Sequence, residues 1–99
     1  MVVVSSAICG YSEIALNELS KSEELEDINI IVYEFYSNHS SEKKFLDFYF
    51  IDAEKCNISQ YTDDFFPMFY LYKYNKLIWK KKGWHKKNIK KIKSKIKNY

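Results

Sequence analysis

The stretch that decides the fold is VVVSSAICGYSEIALNEL, residues 2–19. Three consecutive valines followed by small polar residues are typical of a short buried strand, and we predict one over Val2–Ser6. From Gly10 the apolar residues recur at the spacing of an amphipathic helix. Cys9 therefore lies at the junction between a strand and a helix, with Ser12 three residues further on.

The rest of the chain alternates between strand and helix patterns. We predict a polar loop over 37–44, a strand over 45–52, a short helix with a turn over 53–64, antiparallel strands over 67–74 and 76–82, and a lysine-rich helix from His85 to the end. The segment 28–37, INIIVYEFYS, is open to two interpretations, because its β-branched and aromatic residues favour a strand whereas its flanks favour a helix. The length of 99 residues corresponds to one α/β domain, residues 1–99.

The composition is that of a folded protein without a membrane span. Hydrophobic residues make up 46% of the chain and aromatic residues 18%, which is enough for a core. The longest apolar run, FFPMFYLY, has eight residues, whereas a spanning helix needs about 20. The N-terminus lacks the positively charged start of a signal peptide. We therefore expect an intracellular, cytoplasmic protein with free thiols at Cys9 and Cys56.

Cys9 is the residue whose position points to chemistry. The first backbone N–H groups of a helix are unpaired and carry the positive end of the helix dipole, and both favour a thiolate, the reactive form of cysteine. Gly10 leaves the approach to the sulfur open. The alternative is that Cys9 is a small apolar residue that happens to precede a helix, and its position alone favours neither interpretation.

Pro67 is the only proline in the chain, and it starts a predicted strand. A proline cannot donate to a sheet ladder, and X–Pro bonds are the usual place for a cis peptide. A cis bond between Phe66 and Pro67 would turn the main chain of Phe66 outward, where an extended substrate could pair with it by strand addition. The alternative is an ordinary trans proline at the start of a strand.

The order of these motifs resembles the thioredoxin family. FYFIDAEK and DDFFPMFYLYKYNKLIWKKKGW are similar to the second half of a thioredoxin domain, and ICGYSEIALNEL falls where that family has its Cys-Gly-Pro-Cys site and helix. The resemblance implies a thioredoxin-like fold with a central mixed four-stranded sheet flanked by helices, in the order β-α-β-α-β-β-α. A strand over 28–37 has no place in that sheet, so we expect a helix there.

The resemblance also assigns roles to individual residues. It implies that Cys9 is the attacking nucleophile and that Ser12 stands where a second, resolving cysteine would be. The remaining positions form the implied substrate-binding surface: Gly10, Tyr11, Phe66, Pro67, Gly83 and Trp84.

Departures from the family bear on the chemistry. Ser12 cannot form a disulfide with Cys9, Val3 replaces the buried acid usual in the family, and Glu13 adds a negative charge beside the helix start.

CGYS is also similar to the Cys-Gly-Phe-Ser of monothiol glutaredoxins, which share an iron–sulfur cluster with glutathione. The glycine pair and the Cys-Asp that those proteins use are absent, so we expect no metal and no cofactor.

A lone thiolate still forms mixed disulfides, which a thiol from the substrate, glutathione or a partner then releases. We therefore predict a monothiol (CxxS) redox protein that acts on protein or small-molecule disulfides.

Cys56 is disfavoured as the resolving thiol because the resemblance places it away from Cys9. His85 is expected to flank the basic helix, and we assign no chemistry to Asp63 or Asp64. The alternative function is a non-enzymatic thioredoxin-fold adaptor in which Cys9 is idle.

The charge of the chain is split between its two parts. Residues 1–64 contain four lysines and thirteen acidic residues, whereas residues 65–99 contain twelve lysines and no acidic residue. Such a lysine-rich end can hold nucleic acid or another acidic partner through counterion release. The alternative is that these lysines form a solvated face and pair with the acidic part of the same chain.

Overall fold

A five-stranded mixed sheet forms the centre of the fold in the computed structural model. The structure describes residues 1–25, 27–56, 61 and 65–97. The strands are β1 (Val2–Ser6), β2 (Ile31–Phe35), β3 (Tyr49–Asp52), β4 (Met68–Lys73) and β5 (Lys76–Lys82). The helices are α1 (Gly10–Lys21), α2 (Ser40–Lys44) and α3 (Asn88–Lys97), and short 3-10 turns lie at Glu23–Leu25 and Ala53–Lys55.

The strand order across the sheet is β3-β2-β1-β4-β5. β1, β2 and β3 run parallel to one another, and their connections pass through α1 and α2, since parallel neighbours need a crossover. β4 runs antiparallel to β1, and β5 returns antiparallel to β4. The β4–β5 turn contains Tyr74 and Asn75, both at positive φ, as a two-residue hairpin turn requires.

The main core lies on the face of the sheet that α1 and α3 cover. α1 contributes Leu16 and α3 contributes Ile92, and both side chains are buried. These helices meet alternating residues of three strands, because successive side chains of a strand point to opposite faces: Val3, Val32, Phe69 and Leu71. The opposite face has a smaller cluster around Tyr61 and Tyr70, whose ring centroids are 4.7 Å apart.

Segment 28–37 forms a strand, and the prediction of a helix there is wrong. β2 occupies the centre of this segment and lies between β1 and β3. Burial alternates along it, with Val32 and Glu34 buried and their neighbours half-buried. The predicted four-stranded sheet is wrong for the same reason: this segment adds a fifth strand, which lies between β1 and the FYFID segment that forms β3.

Other boundaries also differ from the predictions. The loop expected over 37–44 contains α2, and the strand expected over 45–52 is only Tyr49–Asp52, because Phe45 is buried beside Phe48 as an aromatic pair. In the helix expected over 53–64, the described part is the turn Ala53–Lys55 with Cys56 after it, together with Tyr61. The rest of that helix, with Asp63 and Asp64, lies outside the described residues.

The C-terminal elements agree with the predicted order. β4 and β5 form the antiparallel pair, and α3 follows. His85 lies in the turn before α3, where its Nδ1 accepts a hydrogen bond from the backbone N–H of Lys87 at 3.2 Å. No helix in the described part of the chain is both long enough and apolar enough to cross a membrane.

Candidate functional site

The turn that carries Cys9 and the turn that carries Pro67 meet at one end of the sheet. β1 and β4 are antiparallel neighbours, with Val4 opposite Met68, so the residues after β1 lie beside the residues before β4. The thiol of Cys9 donates a weak hydrogen bond to the carbonyl oxygen of Phe66 at 3.9 Å. The peptide bond between Phe66 and Pro67 is cis. Sheet pairing therefore brings together two sequence motifs that are far apart in the chain.

Gly83 joins the same end of the sheet from β5. Lys82 pairs with Met68, so the residue after Lys82 arrives beside Pro67. The backbone N–H of Gly83 donates to the carbonyl oxygen of Pro67 at 2.8 Å. Gly83 has φ of +79°, and a Cβ added to it would lie 3.3 Å from the ring of Phe65. Glycine is required here because of both the backbone conformation and the close ring.

Cys9 is the N-cap residue of α1. Its backbone is extended, and its carbonyl oxygen accepts the first hydrogen bond of the helix, from the N–H of Glu13 at 3.3 Å. The Cys9 side chain makes no capping hydrogen bond and is partly exposed. A Cβ added to Gly10 would meet nothing within 4 Å. The sulfur is thus accessible at the positive end of the α1 dipole.

Ser12 faces inward rather than toward a substrate. It is 1% exposed, and its hydroxyl oxygen accepts a hydrogen bond from the backbone N–H of Ser6 at 3.2 Å. Within the described residues, no hydrogen bond joins Ser12 to the sulfur of Cys9. Ser12 therefore connects the first turn of α1 to the end of β1 through this hydrogen bond. The resemblance, which sets Ser12 in the place of a resolving cysteine, does not suggest this structural role.

The residues of the expected substrate-binding surface divide into two groups. Gly10 and Tyr11 are exposed beside Cys9, and the backbone of Phe66 faces the sulfur. Pro67 is fully buried, and the ring of Trp84 turns toward the core. Trp84 contacts Phe69 with ring centroids 5.8 Å apart. The first group is placed to touch a bound molecule directly, whereas Gly83 and Trp84 are half-buried.

An ion pair beside the site is not foreseen from the sequence. The Nζ of Lys44 lies 3.1 Å from a carboxylate oxygen of Glu13, so α2 contacts the first turn of α1. Both side chains are largely exposed. The lysine partly offsets the negative charge that Glu13 places near Cys9. The sequence predicts a polar loop for the segment that contains Lys44, and nothing in its pattern indicates a contact with α1.

A buried carboxylate also lies near the site. Glu34 is 2% exposed and pairs in register with Ser5, and neither Oε1 of Glu34 nor the hydroxyl of Ser5 has a hydrogen-bond partner within the described residues. Glu34 lines a cavity of about 130 Å³ that Ser12 and Lys44 also border. The resemblance to thioredoxin implies an acid at the position of Val3, which is fully buried on the adjacent strand, and it does not indicate the buried Glu34.

Cys56 is exposed and follows the turn Ala53–Lys55, on the loop after β3. Within the described ranges, no group of three or more His, Cys, Asp or Glu side chains is arranged to hold a metal ion.

Comparison with protein-family models, with curated proteins and with solved structures finds no match to this chain.

Proposed function

We propose that the protein is a thioredoxin-like monothiol redox protein whose Cys9 forms mixed disulfides with its substrates. One observation carries the proposal: the Cys9 sulfur is accessible at the start of α1 and lies 3.9 Å from the carbonyl oxygen of Phe66. The antiparallel neighbours β1, β4 and β5, which bring the Cys9 turn to Pro67, support the thioredoxin-like assignment. The additional central strand β2 is a departure from the four-stranded arrangement that the resemblance implies.

The chemistry requires two exchange steps. After the Cys9 proton is released to solvent, the thiolate attacks one sulfur of the substrate disulfide, a new S–S bond forms, and the other sulfur leaves as a thiolate. A second thiol, from the substrate or from glutathione, then attacks the mixed disulfide, and Cys9 leaves as a thiolate. Isomerisation and exchange with a single glutathione involve no net oxidation or reduction. Full reduction of the substrate needs a further glutathione, so that two glutathione thiols are oxidised to one glutathione disulfide. Ser12 takes no part in either exchange.

The carbonyl oxygen of Phe66 has a role that changes during the first step. In the resting protein it accepts a hydrogen bond from the Cys9 thiol. Loss of the thiol proton removes that donor, so both lone pairs of the oxygen are then available to a backbone N–H from an extended substrate. Deprotonation of the nucleophile and backbone pairing of the substrate are therefore coupled at one atom.

The surroundings of Cys9 favour a polypeptide substrate. Ile8 and Tyr11 are 77% and 68% exposed on either side of the Cys9–Gly10 pair. Singly exposed apolar side chains are common, but apolar side chains grouped around one site are typical of surfaces that contact other proteins. A small disulfide would leave them in water, whereas a peptide chain that runs past Phe66 would cover them.

The test uses the Cys56→Ser variant, which retains only Cys9. It is incubated near neutral pH with two disulfide-bonded peptides that differ only by N-methylation of the amide facing Phe66, and mixed disulfides are quantified by mass spectrometry after an acid quench. We expect the unmodified peptide to react several-fold faster and reduced glutathione to reverse the adduct. The matched control is Cys9→Ser, which retains only Cys56 and should show no preference between the peptides.

The adaptor function is the second candidate, and the same exposed apolar residues favour it. In that case Cys9→Ser would bind a protein partner as well as the wild type does, and the Cys56→Ser variant would form no adduct. Failure of Cys9 to form an adduct with either peptide would contradict the redox proposal.

A further inference from the structure

A basic groove with an aromatic wall lies between β5 and α3. Its volume is about 490 Å³. The lining combines one indole ring with lysines from β5, from the turn before α3 and from α3 itself: Trp79, Lys81, Lys87, Lys91 and Lys95. Neither Cys9 nor Phe66 lines it, so a ligand bound in this groove would not depend on the proposed redox function.

The register of the sheet places Trp79 and Lys81 on the face that α3 covers. Trp79 pairs with Leu71 and Lys81 pairs with Phe69. Paired residues of adjacent strands point to the same face, and both Phe69 and Leu71 belong to the core cluster that includes Ile92 of α3. Trp79 is half-buried against that cluster, which leaves part of its ring in the groove.

The second wall is one side of α3. Asn88, Lys91 and Lys95 are spaced by three and four residues, which places them on one side of a helix. Asn88 is 2% exposed, and its side-chain amide donates to the carbonyl oxygen of Gly83 at 3.1 Å. This contact fixes the start of α3 relative to the end of β5, so the lysines are presented from an anchored helix.

No acidic side chain of the described residues forms an ion pair in this groove. Within the described part of the chain, no ion pair involves the four lysines of the groove, and the acidic side chains that form ion pairs with lysine contact Lys44 and Lys55. Residues 65–99 contain no acidic residue. Among the described residues, the expected pairing of C-terminal lysines with the acidic part of the chain is therefore not seen for this set.

We propose that this groove binds single-stranded nucleic acid, with backbone phosphates contacting the lysines and a base stacked on Trp79. Proteins that hold single strands combine a basic groove with an aromatic stacking surface in this way. A duplex keeps its bases stacked inside, out of reach of the indole, and an acidic peptide would use the lysines but not the ring. Trp79 is the feature that favours a polynucleotide over other polyanions.

Binding is measured with fluorescently labelled single strands of about twelve nucleotides, one of deoxythymidine and one of uridine. The decisive control ligand is an abasic strand of the same length, which has the same phosphates and no bases. We expect both labelled strands to bind, and the abasic strand, a duplex and an oligoglutamate of equal charge each to bind at least tenfold more weakly. With four lysine–phosphate contacts, affinity should fall about 50-fold between about 50 and about 200 mM salt.

Protein variants separate the ring from the charges. Trp79→Leu should weaken binding about tenfold, whereas Trp79→Phe, which retains an aromatic face, should stay within about threefold of the wild type, with folding checked by thermal unfolding. The double variant Lys91→Glu, Lys95→Glu should lower the magnitude of the salt slope by about 1.4, since each phosphate contact contributes roughly 0.7. Its charge-matched control is Lys21→Glu, Lys43→Glu, on α1 and α2, which should leave the slope nearly unchanged.

Three results would overturn the proposal. The abasic strand or the oligoglutamate could bind as tightly as the thymidine and uridine strands, which would leave no role for Trp79. The two double variants could weaken binding equally, which would indicate net charge rather than a site. Absence of binding by the wild type at about 50 mM salt would also exclude it.

Discussion

The sulfur of Cys9 lies 3.9 Å from the carbonyl oxygen of Phe66, although 57 positions separate the two residues in the sequence. The antiparallel pairing of β1 with β4 creates this contact, because it sets the end of one strand beside the start of the other. The contact places a nucleophile beside a backbone acceptor that an extended chain can use. The proposed redox function depends on this arrangement rather than on the cysteine alone.

Glu13 should slow the reaction of Cys9 with disulfides, since its carboxylate disfavours a negative sulfur one helical turn away. We predict that Glu13→Gln accelerates the reaction about two- to threefold, in line with about 0.3–1 kcal/mol for one charge near a helix N-terminus. Lys44→Gln should slow it, because the lysine no longer offsets Glu13. Second-order rate constants in the Cys56→Ser background check both, and Glu18→Gln, at the other end of α1, is the control.

The two glycines of the chain should respond in opposite directions to alanine. Gly83→Ala should lower the free energy of unfolding by about 1–2 kcal/mol, because a Cβ is disfavoured at a φ of +79° and would lie 3.3 Å from Phe65. Gly10→Ala should raise it by up to about 1 kcal/mol, because Gly10 is helical and its Cβ would meet no atom within 4 Å. Urea unfolding of both variants checks the pair; equal effects would contradict the described geometry of Gly83.

Ser12 should contribute to stability through its buried hydrogen bond. Ser12→Ala leaves the N–H of Ser6 without its partner, so we predict a loss of about 1–3 kcal/mol in the free energy of unfolding. Ser20→Ala is the matched control on the same helix: its hydroxyl is exposed, and the change should be within about 0.5 kcal/mol. A loss of Cys9 reactivity in Ser12→Ala without a loss of stability would instead assign Ser12 a direct chemical role.

The amino terminus should titrate below its ordinary range. Burial lowers the pKa of the Met1 amino group from its ordinary value of 8.0, and the group donates to the carbonyl oxygen of Asn29 at 2.7 Å. The unfolded chain therefore binds more protons than the folded chain at pH values just below 8.0, and this group makes stability rise with pH across that interval. NMR titration of methionine-labelled protein measures the midpoint, with buried Met68 as the internal reference. A midpoint at or above 8.0 would contradict the described burial.

The elements with strong local patterns could be predicted from the sequence. β1 with α1, and the β4–β5 pair, follow from a β-branched run, a helical periodicity and a two-residue turn. β2 is not predicted because its flanks favour a helix, and because the four-stranded sheet that the resemblance implies leaves no place for a further strand. α2 has five residues, which is too short for a periodicity to be recognised.

The candidate site was only partly accessible to sequence reasoning. The turns of Cys9 and Pro67 carry recognisable residues, whereas the inward direction of Ser12 and Trp84 depends on packing that no local pattern encodes. The Lys44–Glu13 pair and the groove beside Trp79 depend on how elements distant in sequence meet. Such relationships arise from strand register and helix placement, and these depend on the whole chain.

The two cysteines of the wild-type protein allow the most direct test of the central claim. Cys56 is exposed and Cys9 only partly so, and therefore accessibility alone would make Cys56 the faster thiol. The measurement is the rate at which each cysteine forms a mixed disulfide with one peptide disulfide near neutral pH, quantified in the same sample by quenching and peptide mapping. The account predicts that Cys9 reacts at least tenfold faster than Cys56, and that the ratio of the two rates falls toward one when urea unfolds the protein. Equal rates, or a faster Cys56, in the folded protein would contradict it.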